Sequence, residues 1–339
     1  MVRGLSRLLV VDPASGRREH LTVAELPSLV APGTLMVFND TRVRKARVFG
    51  QTEHGGEVEA IFLRPLADGQ WECLVNKAKK LKPGQKLQFP GGVAATVESP
   101  EGNVRSLSFD PPVTDPWIEA HGHLPLPPYI KRPDSEEDAE RYQTVYAREK
   151  GSAAAPTAGL HFTPELLKSL EARGVELVFV TLEVGLGTFL PVRVDDVADH
   201  KMHTERYGVS VETAAAVNRA KAEGRPVLAV GTTSLRTLEA AWTPEGIRAG
   251  WGATDLFITP GYQFRAVDQL FTNFHTPEST LLMLVCAFAG RDFLLETYRQ
   301  AVEARYKFFS YGDAMFLRSR GPRPGESTSP LESPGPRDA

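Results

Sequence analysis

The strongest constraint on the fold is a change of sequence pattern that divides the chain of 339 residues into an α/β part and an all-β part. Outside residues 51–150, apolar runs of strand length alternate with helical segments, which is typical of a parallel sheet covered by helices. Inside, short apolar runs recur between glycines and prolines, without a helical period. The sequence predicts an α/β fold, a mostly parallel sheet with helices on both faces, interrupted by an inserted small all-β barrel domain.

This pattern also predicts the domain boundaries. We expect a discontinuous α/β domain over residues 1–50 and 151–318, and a β-barrel domain over residues 51–150 that ends in a linking helix over residues 135–150. Residues 319–339 are rich in Pro, Gly and Ser, so we expect a disordered tail there.

Composition excludes several classes of protein. The formal net charge is −3, which argues against a generally basic nucleic-acid-binding protein but not against a local basic face. Basic runs at residues 42–47 and 77–82 are either solvated faces or a track for phosphates. Cys73 and Cys286 lie in apolar runs, which indicates a reduced, cytosolic protein. No apolar run reaches about 18 residues, so we expect no membrane span.

Residues 254–290 carry the clearest candidate site. Leu256 to Ile258 reads as a short strand, Thr276 and Pro277 as a helix start, and Gly290 as the helix end. Asn273 and His275 then lie at a strand-to-helix junction, where open α/β sheets bind ligands. The alternative is a turn whose polar side chains only cap the helix.

A second junction is Gly231 with Thr232, Thr233 and Ser234, between an apolar strand and a helix. Backbone N–H groups and hydroxyls there suit a carboxylate or phosphate, and Arg236 in the first turn adds a charge. Plain helix capping is the competing interpretation.

Two further segments hold polar side chains among small residues. Residues 151–161 are mostly small, and they end at His161, which precedes a helix and is expected to be neutral and usable as a base.

Glu183 lies before two glycines, where a carboxylate suits hydroxyls or a cation; an exposed bulge is the alternative. His200, His203 and Glu205 are possible metal ligands, but their spacing fits no zinc motif, so we predict no metal.

Taken together, these segments resemble the S-adenosylmethionine:tRNA ribosyltransferase-isomerases of queuosine biosynthesis. The matching segments are VFNDTRV (37–43), GSAAAPTAGLHFT (151–163), EVGLGTF (183–189), HKMHTERY (200–207), VGTTSLRTLE (230–239), TDLFITPGYQF (254–264), TNFHTPESTLLMLVCAFAG (272–290) and YKFFSYGDAMF (306–316). Glu183 departs from the pattern, since the family has His there.

The resemblance implies transfer and isomerisation of the ribosyl group of S-adenosylmethionine onto the aminomethyl arm of a 7-deazaguanine base (preQ1) in tRNA. It implies a cytoplasmic, monomeric enzyme without a metal or other cofactor. The proton transfers that this chemistry needs have four candidates: His161, His275, Asp40 and Asp313. The predicted substrate-binding residues are Asn39, Thr41, Arg42, Thr157, Glu183, Thr232, Thr233, Ser234, Arg236 and Asn273.

Two other functions stay open from the sequence. An S-adenosylmethionine-dependent tRNA methyltransferase would release S-adenosylhomocysteine, although no glycine-rich turn follows the first strand. A non-enzymatic RNA-binding barrel with an α/β partner domain would leave the polar residues at several strand ends unexplained.

Overall fold

The structure is a computed structural model that describes residues 3–66, 69–76, 78–101, 104–127, 130, 132, 134–185, 202 and 204–321. Its strands are β1 (Arg7–Asp12), β2 (Arg17–Thr22), β3 (Leu35–Asn39), β4 (Thr41–Val43), β5 (Arg47–Thr52), β6 (Glu57–Pro65), β7 (Gln70–Val75), β8 (Lys86–Phe89), β9 (Val93–Glu101), β10 (Val104–Asp110), β11 (Glu149–Ser152), β12 (Glu176–Leu182), β13 (Glu205–Val209), β14 (Val227–Val230), β15 (Trp242–Thr243), β16 (Gly246–Ile247), β17 (Gly250–Thr254), β18 (Gln269–Asn273) and β19 (Ala314–Leu317).

The helices are α1 (Leu26–Leu29), α2 (Asp115–His121), α3 (Glu136–Arg141), α4 (Pro164–Ala172), α5 (Val211–Ala222), α6 (Gly231–Ala241), α7 (Thr280–Ala289) and α8 (Arg291–Glu303). Short 3-10 helices cover Val23–Glu25, Ala78–Lys80, Pro90–Gly92 and Thr157–His161.

The main sheet has nine strands among the described residues, in the order β17-β13-β12-β3-β14-β18-β19-β1-β2. The four central strands β12, β3, β14 and β18 are mutually parallel, and β1 is parallel to β19. The remaining neighbours pair antiparallel, so the sheet is mixed around a parallel centre. The predicted fold class, an α/β sheet with an inserted barrel, is confirmed.

Alternate residues of the central strands point to opposite faces of the sheet, and both faces are covered. On β3, Leu35 and Val37 belong to the core that includes helices α5 to α8. Met36 and Phe38 belong to a second core with α1 and α4. Because both faces of the sheet are buried, each central strand needs apolar residues at every position.

The barrel is a closed, all-antiparallel ring of β10, β7, β6, β5, β8 and β9 within the described residues. Its own core includes Val48, Phe62, Cys73, Leu87 and Leu107, which are almost completely buried. The first barrel strand begins at Arg47, just before the predicted boundary at residue 51. The division of the chain into domains at residues 50, 150 and 318 stays a prediction.

Two details of the segment 254–290 were predicted wrongly. Leu256 to Ile258 form no strand, because the Leu256 carbonyl accepts from Arg236 Nε at 3.3 Å and its N–H donates to Thr254 Oγ1 at 3.1 Å. Helix α7 begins at Thr280 rather than at Thr276, since Ser279 is its N-cap and accepts from the Leu282 N–H at 3.1 Å. The predicted end at Gly290 is confirmed, with a φ of 86°.

The linking helix is shorter than residues 135–150. Ser135 is the N-cap, as predicted, but α3 ends at Arg141. The segment then becomes extended because the carbonyl of Asp40 accepts from the N–H groups of Arg148 (2.8 Å) and Glu149 (3.3 Å), which begins the pairing of β11 with β4. The predicted tail beyond residue 321, and His200 and His203, lie outside the described residues.

Candidate functional site

A cavity of about 360 Å³ opens at the carboxyl ends of β14 and β18 and the N-terminus of α6. This is the edge at which parallel α/β sheets bind ligands, because strand ends and helix N-termini meet there. Five of the predicted site residues line it: Thr157, Thr232, Thr233, Asn273 and His275. The structure therefore brings together residues from three separate segments of the sequence.

The cavity wall includes strained backbone. Among the described residues, the non-glycine residues with positive φ are Glu278 (60°), Arg305 (58°) and Phe309 (73°). Glu278 and Phe309 both line the cavity. Residues held in this unfavourable region concentrate at functional sites, since the surrounding structure must compensate for the strain.

Asn273 is the best-fixed side chain of the cavity. Its Oδ1 accepts from Thr157 Oγ1 at 3.2 Å, and its Nδ2 lies 3.0 Å from His161 Nε2 and 3.4 Å from the Phe309 carbonyl. A carbonyl can only accept, so the amide nitrogen must face Phe309, and this fixes the orientation of the amide. The residue is 3 % exposed, so rotation would leave buried polar atoms unpaired.

His161 lies behind Asn273 and is not among the residues that line the cavity. Its Nε2 accepts from the Asn273 amide, so its proton sits on Nδ1, which donates to Ser6 Oγ at 3.1 Å. The side chain is completely buried, and burial lowers its pKa to about 4. His161 is therefore neutral at pH 7, and both of its ring nitrogens are already engaged.

His275 borders the cavity directly. Its Nε2 lies 3.0 Å from Thr272 Oγ1, and its backbone N–H donates to the Tyr298 hydroxyl at 3.0 Å. Burial lowers the pKa of this imidazole to about 4, so it too is neutral at pH 7. Its Nδ1 has no hydrogen-bond partner within the described part of the chain, so of the two predicted histidines His275 is the one with a free ring nitrogen beside the cavity.

The start of α6 forms the opposite wall. Gly231 has a φ of 88°, a value that glycine adopts without strain, and it turns the chain from β14 directly into the helix. Thr232 and Thr233 in the first turn line the cavity, and Thr233 Oγ1 is buried without a hydrogen-bond partner among the described residues. Ser234 instead donates its hydroxyl to the Val230 carbonyl at 2.8 Å.

Arg236 lies one turn deeper and does not border the cavity. Its Nη1 donates to the Glu205 carboxylate in a buried ion pair, and both side chains are about 5 % exposed or less. Glu205 also accepts from the Gly185 N–H at 3.0 Å. The guanidinium thus links β13, α6 and the end of β12 rather than reaching the cavity.

The motif at residues 39–41 ties strands together. Asn39 accepts from the N–H groups of Thr41 (3.1 Å) and Leu182 (3.0 Å) and donates to the Leu182 carbonyl at 3.2 Å. The Thr41 hydroxyl lies 2.8 Å from Ser152 Oγ. All of these groups are buried beside β12, at the same sheet edge as the cavity but outside its lining.

Both predicted catalytic aspartates have structural partners. Asp40 accepts from Thr181 Oγ1 at 2.8 Å and pairs with Arg148 at 3.0 Å. Asp313 accepts from the backbone N–H groups of Arg7 (3.0 Å) and Lys307 (2.7 Å). Neither carboxylate lines the cavity.

Glu183 and Arg42 also lie outside the cavity lining. Glu183 is half-buried, with its Oε1 3.5 Å from Arg206 Nη1; burial raises its pKa, and Arg206 opposes the shift. Arg42 borders a second, separate cavity of about 330 Å³ with other basic residues. Among the described residues, no three His, Cys, Asp or Glu side chains cluster closely enough to hold a metal.

The structure adds residues that sequence reasoning did not select. Phe309 and Ser310 line the cavity, and Ser6 fixes His161. Phe309 belongs to the segment 306–316 that carries part of the family resemblance, but nothing local indicated that its backbone carbonyl would hold Asn273. Ser6 lies more than 150 residues from His161 in the chain, and only the fold makes them neighbours.

Fold and site define a class: an α/β protein with an inserted β-barrel and a ligand cavity at the carboxyl edge of its sheet. A protein-family model described as "Queuosine biosynthesis protein" matches residues 1–317. The chain therefore belongs to the family of queuosine biosynthesis proteins, and the resemblance of its motifs to that family is confirmed.

Individual proteins that are similar to this chain support the same family. Proteins named S-adenosylmethionine:tRNA ribosyltransferase-isomerase from Citrifermentans bemidjiense and Treponema denticola are 54 % and 49 % identical to this chain, each alignment covering 93 % of both sequences. A crystal structure of S-adenosylmethionine tRNA ribosyltransferase from Thermotoga maritima is 35 % identical, with a TM-score of 0.52 and 93 % of each chain covered.

The buried, neutral His161 predicts a pH dependence of stability. Its pKa is about 4 in the fold and about 6.5 when unfolded, so the unfolded chain binds the extra proton between these values. The stabilisation is present above pH 6.5 and is lost as the pH falls towards 4. We expect His161→Asn to make the urea-unfolding free energy less dependent on pH in this window, by up to about 3 kcal/mol. A pH dependence equal to that of wild type, or of the surface variant His54→Asn, would contradict this.

The buried Arg236–Glu205 pair predicts a large loss of stability from a single truncation. Arg236→Ala removes the guanidinium from beside the buried Glu205 carboxylate, so we expect the free energy of unfolding to fall by about 3–5 kcal/mol. Adding Glu205→Gln removes that charge and should recover part of the loss. Urea denaturation measures both effects, and a double variant no more stable than Arg236→Ala would show that the pair does not cause the loss.

Proposed function

We propose that this protein is an S-adenosylmethionine:tRNA ribosyltransferase-isomerase of queuosine biosynthesis. It moves the ribosyl group of S-adenosylmethionine onto the amine of preQ1 in tRNA, rearranges that group to an epoxycyclopentanediol, and releases adenine and methionine. The product is tRNA carrying epoxyqueuosine. Family membership over residues 1–317 is the observation that carries the proposal, and the cavity gives it a location.

The cavity fits a small polar substrate. Its volume of about 360 Å³ lies in the range of ligand pockets, and its wall combines apolar surface with a few fixed polar groups. We place the adenosyl part of S-adenosylmethionine there. Phe309, which lines the cavity, is our choice for contact with the adenine ring, and Asn273 with Thr157 offers an oriented amide and hydroxyl for hydrogen bonds.

The charged ends of the substrate fit the two walls. The first N–H groups of a helix have no partner within that helix and carry partial positive charge. The Thr233 hydroxyl has no hydrogen-bond partner within the described part of the chain, so the start of α6 together with this hydroxyl is our choice for the methionine carboxylate. Glu278, which lines the same cavity, is our choice for the positively charged sulfonium.

The reaction needs a base, and His275 is our candidate. The sulfonium makes the adjacent C5′ hydrogens acidic, so a neutral imidazole beside them can remove a proton. His275 is neutral because burial lowers its pKa, and it borders the cavity. His161 has both nitrogens engaged, so we give it a different part, in which it positions Asn273.

Several accompanying properties belong to the proposal. We propose tRNA carrying preQ1 as the acceptor, a monomeric enzyme of the cytoplasm, and a reaction without a metal or other cofactor. Within the described ranges, no helix is both long enough and apolar enough to cross a membrane.

The decisive experiment is to incubate the full chain with S-adenosylmethionine, with and without tRNA carrying preQ1, and to identify the products. We expect adenine and methionine in equal amounts, formed only with tRNA. Release of S-adenosylhomocysteine would instead establish a methyltransferase. Binding of tRNA with no conversion of S-adenosylmethionine would favour the non-enzymatic RNA-binding function.

The assignment of His275 predicts a loss of turnover without a loss of folding. We expect His275→Ala to lower kcat by about 100-fold or more, the usual contribution of a general base. Because the pKa of His275 is about 4, kcat of the wild type should not fall between pH 8 and about 5 through this group. Adenine release and thermal melting measure both properties, with His54→Ala as a surface control. Near-normal kcat in folded His275→Ala would exclude it as the base.

A further inference from the structure

The face of strands β12, β13 and β17 that lies on the side of α1 and α4 carries two stacked cation–aromatic pairs. Arg148 lies over the ring of Phe179 on β12, with its Cζ 4.6 Å from the ring centre. Arg206 on β13 lies over Trp251 on β17, at 4.1 Å. In the strand register, Thr181 on β12 lies opposite Gly208 on β13, and Gly208 lies opposite Trp251 on β17. Phe179 and Arg206 are two residues away from Thr181 and Gly208 on their own strands, and alternate residues of a strand point to the same face. Both cation–aromatic pairs therefore lie on the same side of the sheet.

Trp251 forms a flat, solvent-facing platform. It is 53 % exposed and lies on β17, which is the edge strand of the sheet within the described chain. A Cβ on the opposing Gly208 would lie 3.0 to 3.1 Å from three atoms of the six-membered ring, so one ring face rests directly on that glycine. The Arg206 guanidinium also lies over this ring, and both side chains are more than half exposed, so Trp251 and Arg206 form the exposed surface together. An exposed tryptophan in this geometry costs hydrophobic burial and is typical of a binding surface.

A basic cleft lies beside the Arg148 end of this face. It is the second cavity, of about 330 Å³, and it contains Arg42, Lys45, Arg148 and Lys150, with Glu119 as a single acidic side chain in its lining. Arg42 and Lys150 are register partners on the parallel strands β4 and β11, so their side chains share a face. The side chains of Arg42, Lys45 and Lys150 have no hydrogen-bond or ion-pair partner among the described residues, so their charges are available to a ligand.

The cleft lies near both the platform and the catalytic cavity. Arg148 lines the cleft and also stacks on Phe179, beside the Trp251 platform. The chain from Lys150 in the cleft to Ala155 at the catalytic cavity spans five residues, which is at most about 17 Å. A polymer bound in the cleft could thus place one unit in the catalytic cavity.

We propose that the basic cleft and the Trp251 platform together bind the single-stranded loop of the tRNA substrate. Phosphates of the loop lie against Arg42, Lys45 and Lys150, and one unpaired base stacks on Trp251. The inference rests on the proposed function, because it takes tRNA as the substrate, and it adds where and how the RNA is held.

The chemistry of the surface favours RNA over an acidic protein partner. Cations alone would suit either, but a flat aromatic ring beside separated cations matches the alternation of bases and phosphates in an unstacked strand. The protein has a net charge of −3, so the cleft is a local feature rather than part of a general positive charge. Electrostatic attraction at such a cleft is strongly salt-dependent.

The test measures RNA binding separately from turnover. A fluorescently labelled anticodon stem-loop RNA is titrated with the full-length wild type and with Trp251→Ala, Trp251→Phe and the double variant Arg42→Gln/Lys150→Gln. Lys168→Gln on α4 and Leu295→Ala on α8 are surface controls of matched type, and thermal melting confirms folding. Steady-state KM is measured for tRNA and for S-adenosylmethionine.

We expect Trp251→Ala to weaken RNA binding by about 5- to 100-fold, the range for loss of one stacked base, and Trp251→Phe to restore most of it. The double variant should reduce the dependence of log affinity on log salt by about 0.7–0.9 for each phosphate that the protein no longer neutralises. KM for tRNA should rise while KM for S-adenosylmethionine stays within about twofold, because the cleft is separate from the catalytic cavity.

Two results would overturn the inference. One is RNA affinity and salt dependence equal to wild type in folded Trp251→Ala and in the double variant, while the wild type turns over normally. The other is an equal loss in the control variants, which would indicate a general charge effect. Failure of the wild type to release adenine with tRNA present would reject the proposed function instead.

Discussion

The parallel alignment of β12, β3, β14 and β18 is the constraint on which the rest of the structure depends. Parallel strands all end at the same edge, so four separate segments of the chain deliver their next residues to one place. The carboxyl edge of the sheet therefore holds the residues at or just after the four strand ends, which are Asn39, Glu183, Gly231 and Asn273. The barrel could be inserted after β3 because the returning chain re-enters at the same edge through β11.

Hydrogen bonds between side chains and backbone then fix this edge. Asn39 joins β3 to β12 through two bonds to Leu182, and it accepts a third from the Thr41 N–H. Asn273 joins β18 to the 3-10 helix at Thr157–His161 and to Phe309. Each amide is buried, so removal of a partner would leave an unpaired polar atom in the interior. The neutral His161 belongs to the same network: burial removes its charge and makes it an acceptor for Asn273.

The features that could be predicted from the sequence are those that local sequence pattern and residue type control. The strand and helix pattern predicted the fold class, and Gly290 marked the end of α7. Residue type at the predicted strand-to-helix junctions selected Thr232, Thr233, Asn273 and His275, which line the cavity; their roles stay predictions. The agreement between pattern and structure has one reason. Apolar periodicity and Gly, Pro and Thr punctuation are local signals, and they do not depend on how distant segments pack.

By itself, the sequence determined the fold class, the family resemblance and the chemical types of residue at the strand ends. Which of these residues meet depends on how the folded chain packs, and it places His275 at the cavity, His161 behind Asn273, and Arg236 in a buried pair with Glu205. Partners such as Ser6 and His161 are distant in sequence, and their hydrogen bond depends on how separate elements pack. Side-chain pairing across the fold carries no local signal, so it follows from the packing of the folded chain.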